Sequence, residues 1–188
     1  MGLTLATELT SRGHTVCVIE QNERIGLEPR AKITDVRTMA HMRRWGLSGV
    51  LRWRSPFTTD FPRRVRFATR LFGNDICYFD NAFCSSPVRD DRFPEHADFI
   101  PQHSIESVLL DHLRKKPVAD VRFQHRLENF RQHENGGVTI SARNLDTSEV
   151  LSLEARFLVG TDGADSTVRN RLGVQMTGAS SIASFTTL

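Results

Sequence analysis

Arg156-Phe157-Leu158-Val159-Gly160-Thr161-Asp162-Gly163-Ala164-Asp165-Ser166-Thr167-Val168-Arg169 is the stretch on which the fold of this chain turns. Phe157, Leu158 and Val159 form a short apolar run cut off by Gly160, the pattern of a buried strand stopping at a sharp turn. Beyond the turn, Ala164 to Leu172 can form a helix with Asp165 and Ser166 in its first turn and Gly173 placed to end it. A strand, a glycine turn and a helix N-terminus in succession offer backbone N–H groups to an anion such as a pyrophosphate. Asp162, beside them, is placed to accept a hydrogen bond from a ribose or ribityl hydroxyl. The same spacing also fits an ordinary turn between strand and helix, because glycine and aspartate are common turn residues.

At the other end of the chain, Leu3, Leu5, Ala6 and Leu9 recur with helical spacing and Gly13 stops that helix. Thr15-Val16-Cys17-Val18-Ile19 is then a continuous apolar strand closed by Glu20, with Cys17 read as a small core residue. Helix, strand and terminal acid are the second half of a βαβ dinucleotide-binding unit, in which the acid holds the adenosine ribose. Glu20 follows Gly2 by eighteen positions, close to the usual interval of about 20.

Between these ends, Gln21 to Pro29 is a polar loop, and a helix is expected from about Thr34 to Trp45, capped by Thr34 or Asp35, with Met39 and Met42 as core filler. Taken alone, Arg30 reads as a solvated surface charge. Val65 to Leu71 and Ile76 to Phe79 read as strands, whose aromatics suit either a pocket or a core. Asp80 to Asp98 reads as an exposed loop. Ile105, Val108, Leu109, His112 and Leu113 share one face of a helix capped by Ser104, and His103 and His112 read as solvated or half-buried. Ala119–Phe123, Arg126–His133, Val138–Arg143 and Val150–Leu153 are short strands, with a hairpin turn at Asn135-Gly136-Gly137.

The 188 residues suffice for one domain with a core, and a net charge of +3 calls for no nucleic-acid partner. Cys17, Cys77 and Cys84 include no C-x-x-C pair, so neither a disulfide framework nor a metal site is expected. No leader and no apolar run long enough for a membrane span is found, which points to the cytoplasm. No pattern for nucleophilic or metal catalysis occurs, so no catalytic residue is assigned.

The run Gly160-Thr161-Asp162-Gly163-Ala164-Asp165-Ser166-Thr167-Val168-Arg169 resembles the DG motif of the FAD-dependent aromatic hydroxylases of the para-hydroxybenzoate hydroxylase type. Pro29-Arg30-Ala31, Arg37-Thr38-Met39 and Trp45-Gly46-Leu47 resemble the same family, as do Gln102, Glu106, Leu109 and Leu110. The resemblance implies an α/β fold of mixed character: a partial Rossmann-like FAD-binding domain, residues 1–188, with a β-meander, lacking the first strand and the C-terminal substrate region. Gly2 stands where the family has the last glycine of its G-x-G-x-x-G fingerprint, the earlier glycines falling upstream of Met1. No counterpart of the family's Gly-Asp-Ala-Ala-His motif occurs.

By resemblance, Gly2 allows close helix–strand packing, Glu20 binds the adenosine ribose and Arg30 the pyrophosphate. Gln102 contacts the flavin region, and Gly160, Asp162 and Gly163 the ribityl-pyrophosphate segment. Residues 55–100 would be an excursion toward the substrate. The implied activity is hydroxylation of a small phenolic or other aromatic compound, with FAD as cofactor, NADPH or NADH as co-substrate and the flavin hydroperoxide as oxidant. Two alternatives stand beside it. One is a non-catalytic remnant or half of a split flavoprotein, associating as a homodimer or with a complementing chain; the other is a reductase or halogenase relative sharing the βαβ unit and the DG turn.

Overall fold

The computed structural model describes residues 1–23, 25–26, 30–58, 61–88 and 90–178. Pro29 and residues 179–188, both part of the sequence reading, lie outside the described residues. The chain divides into two compact units, Met1–Gln124 and His125–Leu188.

In the first unit, α1 (Gly2–Ser11) ends where Gly13 takes φ +83°, a left-handed conformation that glycine adopts without strain. β1 (Val16–Ile19) runs parallel to β4 (Ala119–Arg122), with Val16 opposite Ala119 and Ile19 opposite Arg122. Cys17 corrects the sequence reading. It is exposed, its sulfur 3.8 Å from the Asp120 carboxylate, because this two-stranded sheet leaves that position uncovered.

The core lies among helices. Met39 and Met42 of α2 (Val36–Arg44), Leu51 of α3 (Ser48–Trp53) and Val108 and Leu109 of α4 (Gln102–Leu113) form one buried cluster with Leu47 and Ile100. Full burial of each such side chain is worth about 1.5–3 kcal/mol, so this cluster holds the unit together. Asp35 caps α2, its Oδ1 accepting the Thr38 N–H at 2.7 Å. The Thr38 side chain first, and then this backbone bond, hold its carboxyl below the usual range. α3 was not foreseen, since six residues are too few to show a helical period. α4 begins earlier than expected: Pro101, at φ −62°, is its cap residue, and its carbonyl accepts the Ser104 and Ile105 N–H groups. Ser104 is therefore buried in the first turn and does not cap the helix.

β2 (Val65–Ala68) and β3 (Asp75–Phe79) form an antiparallel ribbon with a register shift at Phe67/Ala68. Phe67, Phe72, Tyr78, Phe79 and, further on, Phe83 are all exposed, so they are not core. Asp80 to Asp98 is not simply an exposed loop either. It carries a 3-10 turn at Ala82–Cys84 and buries Ser85, Ala97 and Asp98, pinned by Ala97 N–H to Cys84 O at 2.9 Å.

The second unit is a meander of β5 (His125–Gln132), β6 (Val138–Asn144) and β7 (Val150–Ala155), all antiparallel. Val138, Ile140 and Ala142 of the middle strand are buried, and Gly136 and Gly137 make the hairpin turn at φ +86° and +91°. Phe157 to Val159 form no strand, and Phe157 is 78% exposed. An extended apolar tripeptide needs a paired neighbour to satisfy its backbone, and among the described residues none pairs with it. The helix after the turn, α5 (Thr167–Arg171), starts three residues later than read.

Candidate functional site

Four of the sequence-derived site residues fall in the first unit and three in the second. Gly2 opens α1, which packs on β1 and α4. Glu20 follows β1 directly; its N–H donates to Arg122 O at 2.9 Å, extending the β1–β4 ladder by one bond. Its Oε1 accepts from the backbone N–H and the side-chain amide of Asn22, at 2.9 and 2.8 Å. The carboxylate is thereby fixed at the strand's end and keeps acceptor capacity on its second oxygen.

Arg30 is exposed, and the residue after it is anchored: Ala31 O accepts the Gln102 N–H at 3.2 Å. The residue after Arg30 is thus joined to Gln102, 71 positions further along, at the start of α4. The Gln102 side chain donates to Glu106 Oε1 at 2.7 Å, which holds its amide in one orientation. Next to it, His103 Nδ1 is buried and has no hydrogen-bond partner, an open polar position that a ligand group or a water would complete.

In the second unit, Gly160 is required by packing. A Cβ there would meet Val168 Cβ at 2.8 Å. Gly163 takes φ +80°, with open space where a Cβ would lie. Asp162 serves the helix that follows: Oδ1 accepts from Ser166 Oγ at 2.5 Å and Oδ2 from Val168 N–H at 3.2 Å. Partial burial pushes its carboxyl up, yet the Ser166 and backbone hydrogen bonds outweigh that and leave it below its usual value. Ser166 in turn caps α5 by accepting the Arg169 N–H at 3.1 Å, and Arg169 NH2 reaches back to Ala164 O at 2.5 Å.

The donor set fits a flavin adenine dinucleotide in chemical type. It comprises a carboxylate for ribose hydroxyls, an exposed guanidinium for a pyrophosphate, and a fixed amide with an open ring nitrogen beside it. Among the described residues no group of three or more His, Cys, Asp or Glu is arranged to hold a metal ion. No helix of the described residues is long and apolar enough to cross a membrane.

Sequence reasoning missed a set of paired charges in the same unit: Arg63 and Asp98, both buried, with the half-buried Arg52 and Glu95. Their partners lie tens of residues apart, so no local pattern announced them.

These elements define an α/β portion of a dinucleotide-binding flavoprotein. The chain belongs to the family described as FAD binding domain, which it matches over residues 1–188. It is 31% identical over 178 residues to a para-nitrophenol 4-monooxygenase of Pseudomonas sp. (strain WBC-3), an alignment covering 95% of this chain and 41% of that protein. A solved aklavinone-11 hydroxylase in complex with FAD and aklavinone superposes with a TM-score of 0.76 at 30% identity, over 92% of this chain and 32% of that one. The rebeccamycin biosynthetic enzyme RebC with reduced flavin gives a TM-score of 0.80 at 27% identity, over 91% of this chain and 32% of that chain. The chain therefore spans between a third and two fifths of the length of these relatives.

Proposed function

We propose that this chain is the FAD-binding portion of an NAD(P)H-dependent monooxygenase that hydroxylates a phenolic or other aromatic compound. The observation that carries the reading is the Ala31–Gln102 bond, which ties the segment of Arg30 to the start of α4 in the unit where Glu20 closes β1. Glu20 binds the adenosine ribose, Arg30 pairs its planar fork with the pyrophosphate, and Gln102 contacts the flavin region. Gly2 keeps α1 close to its strand. Asp162, Gly160 and Gly163 shape the turn for the ribityl-pyrophosphate segment, and each Asp162 oxygen has room for one more donor.

The bound flavin would supply the oxygen activation, through its hydroperoxide, with NADH or NADPH as reductant. In the overall balance, one aromatic C–H, O2, NAD(P)H and a proton give the phenol, NAD(P)+ and water. The chain's own residues bind, orient and exclude water. Relatives named for para-nitrophenol and aklavinone support a phenolic substrate. Residues 55–100 are the excursion toward that substrate, a reading supported by the aromatic side chains exposed on β2 and β3. A cytoplasmic setting suits three unpaired thiols.

A titration of FAD into the protein carrying this chain, followed by flavin fluorescence, tests the reading. Saturation is expected at a Kd of about 1 μM or tighter, which is about −8 kcal/mol. Arg30→Met should weaken it by about tenfold and Gln102→Ala by less, since a charge-assisted pair outweighs a neutral one. Binding that neither variant changes would sink the residue assignments. A second reading, a non-catalytic FAD-binding remnant or one half of a split flavoprotein, acting as a homodimer or with a complementing chain, draws on the apolar surface of the β2–β3 ribbon. Substrate-dependent NAD(P)H oxidation with a hydroxylated product decides against it.

A further inference from the structure

We propose that the ion network of Arg63, Asp98, Arg52 and Glu95, built on the buried Arg63–Asp98 pair, is the positioning device of the cofactor segment around Arg30, with Asp98 as its pivot. The inference rests on the reading of Arg30 and Gln102 as FAD contacts.

Residues 94–101, up to the start of α4, form no helix or strand, yet they tie the first unit together. The Asp98 and Arg63 side chains are each 6% exposed and meet at 2.8 Å, Arg63 NH1 donating to Asp98 Oδ1. The same oxygen accepts the Phe99 N–H at 2.9 Å, and Arg52 Nε lies 3.5 Å from Oδ2. Arg52 also pairs with Glu95 at 2.7 Å and donates to His96 O at 3.2 Å. Arg43 donates to Pro94 O at 2.8 Å, adding α2 to the set.

The backbone of Asp98 does the positioning. Its N–H donates to Thr34 O at 2.9 Å, and its carbonyl accepts the Thr34 N–H at 2.8 Å. Four residues further on, Gln102 N–H holds Ala31 O. The segment that carries Arg30 is therefore clamped at Ala31 and at Thr34 by the same run of chain.

Stability alone does not explain a buried Arg63–Asp98 pair with the half-buried Arg52 and Glu95 beside it. Removing charges from water costs several kcal/mol per ion, on the order of what their pairing returns, and apolar side chains of equal volume often do as well or better. Arg52 Nε and Arg63 Nε are moreover buried without a hydrogen-bond partner, so the network is not the most favourable filling of that space. Apolar side chains would not set the direction of the Asp98 backbone. Two hydrogen bonds on Asp98 Oδ1, from Arg63 and from the Phe99 N–H, do, with the Arg52 guanidinium facing Oδ2 at 3.5 Å, since together they fix its side chain in one orientation. Arg63 also stands just ahead of β2, so the network links the base of the β2–β3 ribbon to the cofactor segment.

The test uses the protein carrying this chain and two readouts: FAD affinity, and hydrogen exchange at the Thr34 and Gln102 amides. Leu109 and Leu110 amides in α4 serve as the internal reference. Asp98→Asn and Arg63→Met should each speed exchange at Thr34 and Gln102 but not at the reference amides, and raise the FAD Kd by about tenfold, a common size for coupling between sites. The double variant should be no worse than the poorer single one, because both changes break one interaction. Arg63→Lys, which keeps the charge and loses the planar guanidinium, should lie in between and serves where the other variants do not fold. Arg54→Met, which breaks the surface pair with Asp111 at 2.7 Å, should leave both readouts unchanged.

If the unaltered protein binds no FAD, the Arg30 and Gln102 reading falls and this inference with it. If it binds FAD and the variants keep its affinity, with or without faster exchange, this inference alone is overturned. A loss of affinity with no change at Thr34 and Gln102 also overturns it, since the effect then does not pass through the clamped segment.

Discussion

Two parts of the molecule arrive at ordered, non-repetitive backbone by opposite routes. The DG turn, residues 160–173, is held mostly from within; among the described residues, Arg171 alone of its bonded side chains reaches out, to Asn129 Oδ1 at 2.9 Å. Asp162, Ser166 and Arg169 bond only to groups within six positions of themselves, and Gly173 closes α5 at φ +69°. The 94–102 run satisfies itself from afar, through Arg63 35 positions away, Arg52 and Ser55 44 positions away, and Thr34 66 positions from the Ile100 carbonyl it bonds. A locally closed motif keeps its shape wherever its sequence goes. A segment closed at long range has no shape until the unit around it has folded.

The largest effect is expected at the long-range site. Arg63→Met leaves Asp98 buried without its buried cationic partner, and breaking a buried pair from one side costs about 3 kcal/mol or more. A urea midpoint that moves by less than a third of that would place the pair nearer to water than its exposure says. Gly160→Ala comes next. The added methyl meets the Val168 side chain at its Cβ, which cannot rotate away, and Asp162 Oδ1 at 3.2 Å; overpacking of this kind costs about 1–3 kcal/mol. An unchanged melting temperature would show that α5 can slide, and that the turn is less closed than its hydrogen bonds imply. Ser166→Ala removes the cap of α5, a loss of about 1 kcal/mol, and releases one of the two donors that hold Asp162. Its effect should stay local, read as faster exchange at the Arg169 and Val168 amides with the β5–β7 sheet unaffected.

The same contrast explains what could be read from the sequence. The glycine stop at Gly173, the Asn135-Gly136-Gly137 hairpin and the β5–β7 strands rest on neighbouring residues and are found where the residues put them. Ser166, read inside the first turn, instead caps the helix, and the Ala119 strand, read with the meander, pairs with β1. Where the reading failed, the deciding partner was remote or absent. Phe157 to Val159 has strand composition but no pairing strand among the described residues, and Cys17 lies on a sheet only two strands wide. Ser104 lost the cap to Pro101, whose extended backbone already turns its carbonyl toward the helix. Of the candidate site, the residue types were legible one by one. Their assembly was not, because the bond that joins Arg30's segment to Gln102 runs between backbone groups that carry no side-chain signature.

The smallest effect concerns acid, and it compares the two units by their carboxylates. Glu8 of α1 accepts from Arg44, Arg12 and the Trp45 indole, and these bonds, Arg44's first, bring its carboxyl down to about 2. Asp162 is also lowered, but by Ser166 and backbone N–H groups that oppose its own partial burial. A carboxyl lowered in the fold binds fewer protons there than in the unfolded chain. Its stabilising contribution is therefore full above the unfolded value, about 4, and is lost as the pH falls through the folded one. Glu8→Gln should flatten the dependence of the urea midpoint on pH between about 4 and 2 for the transition of the first unit. Ser166→Ala should do the same, more weakly, for the second. Both are surface effects screened by salt, so raising the ionic strength should shrink the Glu8 difference, which depends on two guanidinium groups, more than the Asp162 difference, which depends on a hydroxyl and on backbone amides. An equal response to salt would mean that Asp162 is held by a charge, and that the DG turn is less self-contained than its bonds describe.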